Sequence, residues 1–314
     1  MARSPIRNPP AAPVQAVIAA HAHIENSNQE FILKIDYANK LVLITGGSSG
    51  IGLALATQLV TEGAHVFILA RDKHRLTSAV ESLQQLAKPD QKIGSLQLDV
   101  TKSKELEAPL TKWIEKQGTP DLVVNSAGVA HPGYFQELDT EIFQWMMDVN
   151  YFGMVNVTKV IIPYMIARGS GQVVNISSEA GFIGVFGYTA YGASKYAVRG
   201  FTDALRAEMK PLGVDLSIVF PPDTQTPQLE YEQQFKPAET KAIASSSTVM
   251  TPEKVAQIIL RNIRHNRYMI IPGFEGKVFY RLTSILKHST YPIMDMIVRS
   301  AQKKKLNDIK KSID

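Results

Sequence analysis

The sequence predicts an α/β protein: a doubly wound parallel sheet with helices on both faces, in a single domain with a C-terminal amphipathic extension. Two observations carry that expectation. From about Lys40, short and nearly continuous apolar runs alternate with longer amphipathic ones, and a glycine-rich turn follows the first apolar run directly. Strands that are apolar throughout are buried on both faces, which requires helices above and below the sheet.

Six runs read as strands: LVLITG (41–46), HVFILA (65–70), IGSLQL (93–98), DLVVNSAG (121–128), QVVNIS (172–177) and VDLSIVF (214–220). Each is rich in β-branched residues and bounded by Gly, Pro or Asp. Between them, GLALATQLVTEG, KHRLTSAVESLQQLA and SKYAVRGFTDALRAEMKPLG have helical spacing. Thr101 is positioned to cap the helix KSKELEAPLTKWIEKQG, and Gly118 to end it. After about Phe220 the alternation stops, and a polar segment at 225–250 interrupts the pattern, as a lid over a site would. The expected organisation is a flexible extension at 1–37, the sheet domain at 38–272 and a basic amphipathic segment at 273–314.

Composition narrows the chemistry. With 314 residues, 45% hydrophobic and 20% charged, the chain has ordinary globular proportions. No cysteine is present, which excludes disulfides, thiolate metal sites and a cysteine nucleophile. The seven histidines lack metal-ligand spacing, so no metal is expected. Net charge is +5, and the excess collects at the C-terminal end, where nine Lys/Arg face three Asp from Lys277 onward. Without a recognisable nucleic-acid motif, this basic end does not point to nucleic acid. In KVFYRLTSILKH, the residues Val278, Phe279, Leu282, Ile285 and Leu286 share one helical face flanked by Lys277, Arg281 and Lys287. Such a face packs against its own protein or a subunit, or lies on a membrane surface; both readings stay open. No uncharged apolar run reaches the ~18–20 residues that span a bilayer. The N-terminus imitates a signal peptide faintly, but prolines and a glutamine interrupt its apolar patch.

The turn TGGSSGIG (45–52) joins the first strand to the next helix. Its glycines allow a tight turn and close approach to a pyrophosphate, and the helix N-terminus offers unpaired N–H groups with a positive dipole. Gly46, Gly50 and Gly52 give G-x-x-x-G-x-G spacing. An acidic residue about 20 positions further on would hold a ribose hydroxyl. Here Ala70 is followed by Arg71, with Arg75 one helical turn later. Guanidinium groups suit a 2′-phosphate, so NADPH/NADP+ is favoured over NAD(H). Asp72 could pair with either arginine.

In YGASKYAVRG, Tyr191 stands four residues before Lys195, which places phenol and ammonium on one helical face. A phenol titrates near ~10 in water. A fixed positive charge beside it is expected to lower that value toward working pH, as protonation of a carbonyl oxygen requires.

In these motifs the chain resembles the short-chain dehydrogenase/reductase family, whose sheet is of the Rossmann type, over residues 38–225. The resemblance rests on TGGSSGIG, LDVT with Asp99 and Val100, NSAG (125–128), NISS (175–178) and YGASK (191–195). It implies Asn150, Ser178, Tyr191 and Lys195 as the catalytic set. Tyr191 would be the general acid and Lys195 its partner on the nicotinamide ribose. Ser178, thirteen residues before Tyr191, would bind the substrate carbonyl, a spacing that disfavours Ser177. Asn150 would hold a water behind Lys195. For the cofactor the resemblance implies Gly46, Ser48, Ser49, Gly50, Ile51 and Gly52 at the turn, and Arg71, Arg75, Asp99 and Val100 at the adenosine end. Asn125 would brace the sheet beside Ala127 and Gly128. Beyond the sixth strand, PPDTQTP replaces the common Pro-Gly; it implies Pro221 with Thr224 or Thr226 at the carboxamide.

The same segment, KPAET (236–240), SSSTVMTPEKVA and the basic amphipathic end resemble the 3-ketodihydrosphingosine reductases. That resemblance implies NADPH-dependent reduction of a long-chain lipid ketone in sphingolipid synthesis, peripheral membrane contact from the cytoplasmic side, and a homo-oligomer (dimer or tetramer). A reductase of another ketone (steroid, retinoid or 3-ketoacyl) and a non-catalytic nucleotide sensor are the alternatives.

Overall fold

The computed structural model describes residues 35–244, 248–286 and 289–313. Its centre is a parallel sheet of β1 (Leu41–Thr45), β2 (His65–Ala70), β3 (Ile93–Gln97), β4 (Leu122–Asn125), β5 (Gly171–Ile176), β6 (Val214–Val219) and β7 (Met269–Ile270) in the order β3-β2-β1-β4-β5-β6-β7. The six runs read from the sequence are the first six strands. β7 is the addition: two residues pairing with Ile218 and Val219, too short to leave a periodic signal.

Alternation along the strands divides the core. Val42 and Ile44 of β1 face one layer, with Leu55 and Leu59 of α1 (Gly50–Thr61), Leu76 and Leu83 of α2 (Lys73–Leu86), and Ile259 and Ile263. Leu41 and Leu43 face the other, against Leu106, Leu110 and Trp113 of α3 (Ser103–Gln117). Each fully buried leucine here contributes about 1.5–3 kcal/mol through removal of apolar surface from water. Gly118, with φ 100°, ends α3 as expected. Thr101 does not cap it: the helix starts two residues later, and the Thr101 hydroxyl donates to Asp99 Oδ1 at 2.8 Å.

A short α4 (Thr140–Met146) runs through a π-helical segment (Met147–Phe152) into α5 (Gly153–Arg168), which supplies Val157, Ile161 and Met165 to the second layer. α6 (Thr189–Met209) packs along β6. The polar 225–250 region carries α7 (Pro227–Gln233) and α8 (Ala238–Ala244). Then come α9 (Pro252–Ile263), packed on α1, then α10 (Phe274–Leu286) and α11 (Thr290–Ile313), the last crossing α8.

The expected N-terminal extension at 1–37 lies outside the described residues as far as 34. Tyr37 is buried, and its hydroxyl donates to Gln172 Oε1 at 2.5 Å. Lys287 also lies outside the described residues, as do the side chains of Lys304 and Lys305.

Strand order reverses between β1 and β4, where the crevice of such a sheet opens at the carboxyl ends. Thr45 and Asn125 are register partners there. The turns after β1, β4, β5 and β6 therefore meet at one edge, and TGGSSGIG, NSAG, NISS, YGASK and PPDTQTP each place residues there.

Candidate active site

The glycine turn is fixed by contacts only glycine permits. Gly46 has φ +66°, and a Cβ there would lie 2.8 Å from the Ala127 backbone. A Cβ on Gly52 would lie 2.4 Å from the Gly46 carbonyl oxygen, so this residue serves close helix–strand packing. Thr45 Oγ1 accepts from the N–H groups of Ser126 and Ala127, each at 3.1 Å, tying the two turns together. Gly46, Ser48, Ser49, Gly50 and Ile51 line a cavity of about 1060 Å³. The first N–H groups of α1 have no partner within the helix, and the Ser49 side chain does not cap them. A backbone cradle closed by glycines, with a helix N-terminus behind it, fits a dinucleotide pyrophosphate.

Arg71, Arg75, Asp99 and Val100 stand apart from this cavity, at the carboxyl ends of β2 and β3. Arg71 Nη1 lies 4.0 Å from Asp99, and its side chain is half exposed. Asp72 caps α2 by accepting the Arg75 N–H at 3.0 Å, the chief cause of a carboxyl held below its usual range, and also pairs with the Arg75 side chain at 3.6 Å. Asp72 therefore pairs with Arg75 rather than with Arg71.

Asn125 donates to Asn175 at 2.9 Å and to Thr158 at 3.2 Å, and Asn175 donates to Thr202, joining β4, β5, α5 and α6 through a buried polar chain. Asn150 sits in the π-helical turn, a local widening that recurs at functional positions. Its Oδ1 accepts the Val129 N–H at 2.8 Å, and its Nδ2 donates to the Val129 carbonyl and to Ser194 Oγ, both at 2.9 Å. A Cβ on Gly128 would lie 3.2 Å from Asn150 Oδ1 and 3.4 Å from Lys195 Nζ, so these two groups flank Gly128.

The two serines separate cleanly. Ser177 is buried and donates to the Lys195 carbonyl at 3.0 Å, whereas Ser178 lines the cavity and reaches the Tyr191 hydroxyl as a hydrogen-bond partner. Lys195 Nζ donates to the Ile176 carbonyl at 3.0 Å and lies 5.6 Å from the centre of the Tyr191 ring. Burial dominates both titrations. It pushes the Lys195 ammonium down to about 8 and raises the Tyr191 phenol above its ordinary value. The expected lowering of Tyr191 is thus reversed in this structure: desolvation is the larger cause, the Glu232 charge adds to it, and Ser178 and Gln228 oppose it.

Sequence reasoning missed a group on α7. Gln228 also reaches the Tyr191 hydroxyl. Its Nε2 donates to Glu232 Oε1 at 2.9 Å, and Tyr188 donates to Glu232 Oε2 at 2.6 Å. Gln228 and Glu232, at i and i+4 on α7, could have been read as a pair from spacing alone. Nothing local signalled that they face Tyr188 and Tyr191. Glu179, next to Ser178, was missed as well. Burial and the neighbouring Asp223 and Glu275 raise its carboxyl to about 7, and its Oε1 has no partner. Beyond β6, Thr224 donates to the Pro222 carbonyl at 2.8 Å, while Thr226 caps α7 and sets its methyl against Gly50.

A dinucleotide cradle opening onto a Ser–Tyr–Lys constellation defines a hydride-transfer oxidoreductase. The chain belongs to the short-chain dehydrogenase family, whose profile, described as short chain dehydrogenase, matches residues 40–237. Members of this family act on ketone or CH–OH groups with a nicotinamide cofactor. The chain is 39% identical over 253 residues to a 3-dehydrosphinganine reductase of Danio rerio, covering 80% of this chain and 76% of that one. It is 36% identical over 274 residues to a 3-ketodihydrosphingosine reductase of Dictyostelium discoideum, covering 82% of each. A short-chain dehydrogenase/reductase from Burkholderia phymatum, solved in complex with NAD, shares the fold at TM-score 0.72 and 22% identity, covering 82% of this chain and 96% of that one. Among the described residues no helix is long and apolar enough to cross a membrane.

Proposed function

We propose that the protein uses NADPH to reduce the ketone of 3-ketodihydrosphingosine (3-ketosphinganine) to the secondary alcohol of sphinganine, a step in sphingolipid synthesis. The observation that carries this reading is the pairing of Ser178 and Tyr191 in one cavity that Phe182, Ile183, Phe274 and Phe279 also line, in a chain whose relatives are named for this ketone. The retention of Tyr191 and Lys195 speaks against a mere nucleotide sensor.

The cofactor, when bound, supplies the hydride. Ser178 and Tyr191 hold the substrate oxygen as it gains charge, and Tyr191 passes its proton to that oxygen. Lys195, anchored on the Ile176 carbonyl, directs a positive charge toward the face of the cavity that Gly128 leaves open. Asn150, fixed at three points, keeps the turn at Val129 and the Ser194 hydroxyl in place behind it. Arg71 and Arg75 are the groups for a 2′-phosphate: Arg71 is the freer of the two, with only a long pair to Asp99, and Arg75, one helical turn on, is half committed to Asp72 at 3.6 Å. Thr226 is the residue for the carboxamide, since the Thr224 hydroxyl is already donated to Pro222.

The lipid is delivered along α10. Phe274, Val278, Phe279, Leu282, Ile285 and Leu286 are all exposed, and Phe274 and Phe279 also line the cavity. With Lys277 and Arg281 on the same helix, this surface suits peripheral contact with an anionic bilayer, with the cavity mouth facing the lipid. The region at 225–250 acts as the lid, the body at 38–272 as the catalytic domain and 273–314 as the membrane-facing segment. Helices of this family pair subunits, and the protein is read as a dimer or tetramer.

The test is NADPH oxidation by the purified chain against 3-ketosphinganine, a steroid ketone, retinal and a 3-ketoacyl thioester. 3-Ketosphinganine is expected to give the highest kcat/KM. A higher value for any other member of the panel overturns the substrate assignment.

A further inference from the structure

3-Ketosphinganine carries an ammonium on the carbon next to its carbonyl, a feature that a plain long-chain ketone lacks. When Ser178 and Tyr191 hold the carbonyl oxygen, that ammonium must lie beside them. Five carboxylates line the cavity, Glu179, Asp223, Glu232, Glu275 and Asp295; Glu232, on the helix α7, is the one whose charge acts on both Tyr191 and Lys195.

Glu232 is only 5% exposed and lines the cavity. Both of its oxygens are engaged by neutral donors, Oε1 by the Gln228 amide and Oε2 by the Tyr188 hydroxyl. The Tyr188 ring that donates to Glu232 packs 5.6 Å from the Tyr191 ring, Gln228 acts on the Tyr191 hydroxyl, and the charge of Glu232 acts on both Tyr191 and Lys195. The nearby cation Lys236 is engaged elsewhere: its Nζ pairs with Asp223 at 3.2 Å. Among the described residues Glu232 forms no ion pair. Burial raises the Glu232 carboxyl, and the hydrogen bonds from Tyr188 and Gln228 and the charge of Lys236 oppose that; a carboxylate withdrawn from water and hydrogen-bonded only by neutral donors is stabilised further when a cation joins it. The rest of the molecule is net basic, so this charge is local to the cavity.

We propose that Glu232 receives the ammonium of the amino ketone and so determines specificity, with Gln228 aligning the Tyr191 hydroxyl between carboxylate and substrate. This assignment rests on the substrate reading above. It has a consequence for turnover. The negative charge of Glu232 opposes loss of the proton from Tyr191, and an ammonium placed on Glu232 removes that opposition. The group that identifies the substrate therefore also eases proton donation to the substrate oxygen. A ketone without the amine leaves that opposition in place, eased among the described residues only by Lys195 and Lys236.

The experiment measures kcat/KM with NADPH for 3-ketosphinganine and for the chain-matched 1-hydroxy-3-ketone that lacks the amine. It uses the full chain as wild type, Glu232→Gln and Tyr188→Phe. The wild type is expected to prefer the amino ketone by roughly tenfold or more, the scale of one hydrogen bond to a charged group. Glu232→Gln brings the ratio toward one, whereas Tyr188→Phe, which keeps the carboxylate, retains the preference. An equal loss on both substrates in Glu232→Gln, or no preference in the wild type, overturns the assignment; the second holds even if the variant does not fold. A wild type that reduces only the desamino ketone overturns the substrate reading as well.

Discussion

On the β1–α1 side of the cleft, recognition is built from backbone: glycines at 46, 50 and 52, the open end of a helix, and Thr45 stitching two turns together. On the α7–α8 side it is built from side chains that meet across long stretches of sequence, as Glu232 meets Tyr188 and Glu239 meets Tyr134. The first construction suits a ligand part common to many enzymes, because N–H groups and dipoles read phosphate and little else. The second suits a ligand part that must be told from its rivals, because a buried carboxylate rewards only the right partner.

The sharpest break falls where the two sides meet. Tyr191→Phe should lower kcat by on the order of 10²–10⁴-fold, the range for general acid catalysis, while quenching of its fluorescence by NADPH still titrates normally. Weakened NADPH binding with intact turnover would remove Tyr191 from the chemistry.

A second test separates the sides by pH. The Glu179 carboxyl has a folded value of about 7, above its unfolded value of 4.5. A raised carboxyl binds more protons when folded, so its contribution favours folding below about 4.5 and is lost as pH rises through about 7. Glu179→Gln should flatten that slope in urea titrations and stabilise the protein at pH 8 by on the order of 3 kcal/mol. An unchanged slope would show that Glu179 is not the group responsible. The cofactor side should respond to shape alone. Gly52→Ala, whose methyl would press on the Gly46 carbonyl, should cost about 1–3 kcal/mol at any pH.

The smallest expected effect sharpens the comparison at its polar edge. Arg71→Ala should raise KM for NADPH roughly tenfold and leave that for NADH nearly unchanged, as loss of one guanidinium–phosphate contact implies. Equal losses with both cofactors would contradict the 2′-phosphate role.

The same contrast explains what could be read in advance. TGGSSGIG, NSAG and YGASK are contiguous, and strands buried on both faces announce themselves by composition, so six strands and the turn were legible. β7 is two residues long and exists because β6 offers it an edge. Ser178 was separable from Ser177 only by its distance from Tyr191, and the structure shows why: one hydroxyl is spent on the Lys195 carbonyl. The titration of Tyr191 was read from one neighbour at i+4, yet it is governed by burial and by Glu232, which is 41 residues away in sequence. Spacing on a helix cannot report desolvation.

The most direct test is to count sphinganine formed per NADPH consumed when the purified protein meets 3-ketosphinganine, with mass spectrometry of the product. One sphinganine per NADPH, abolished by Tyr191→Phe, is the expected result. NADPH consumed without sphinganine, or sphinganine formed undiminished by Tyr191→Phe, would contradict it.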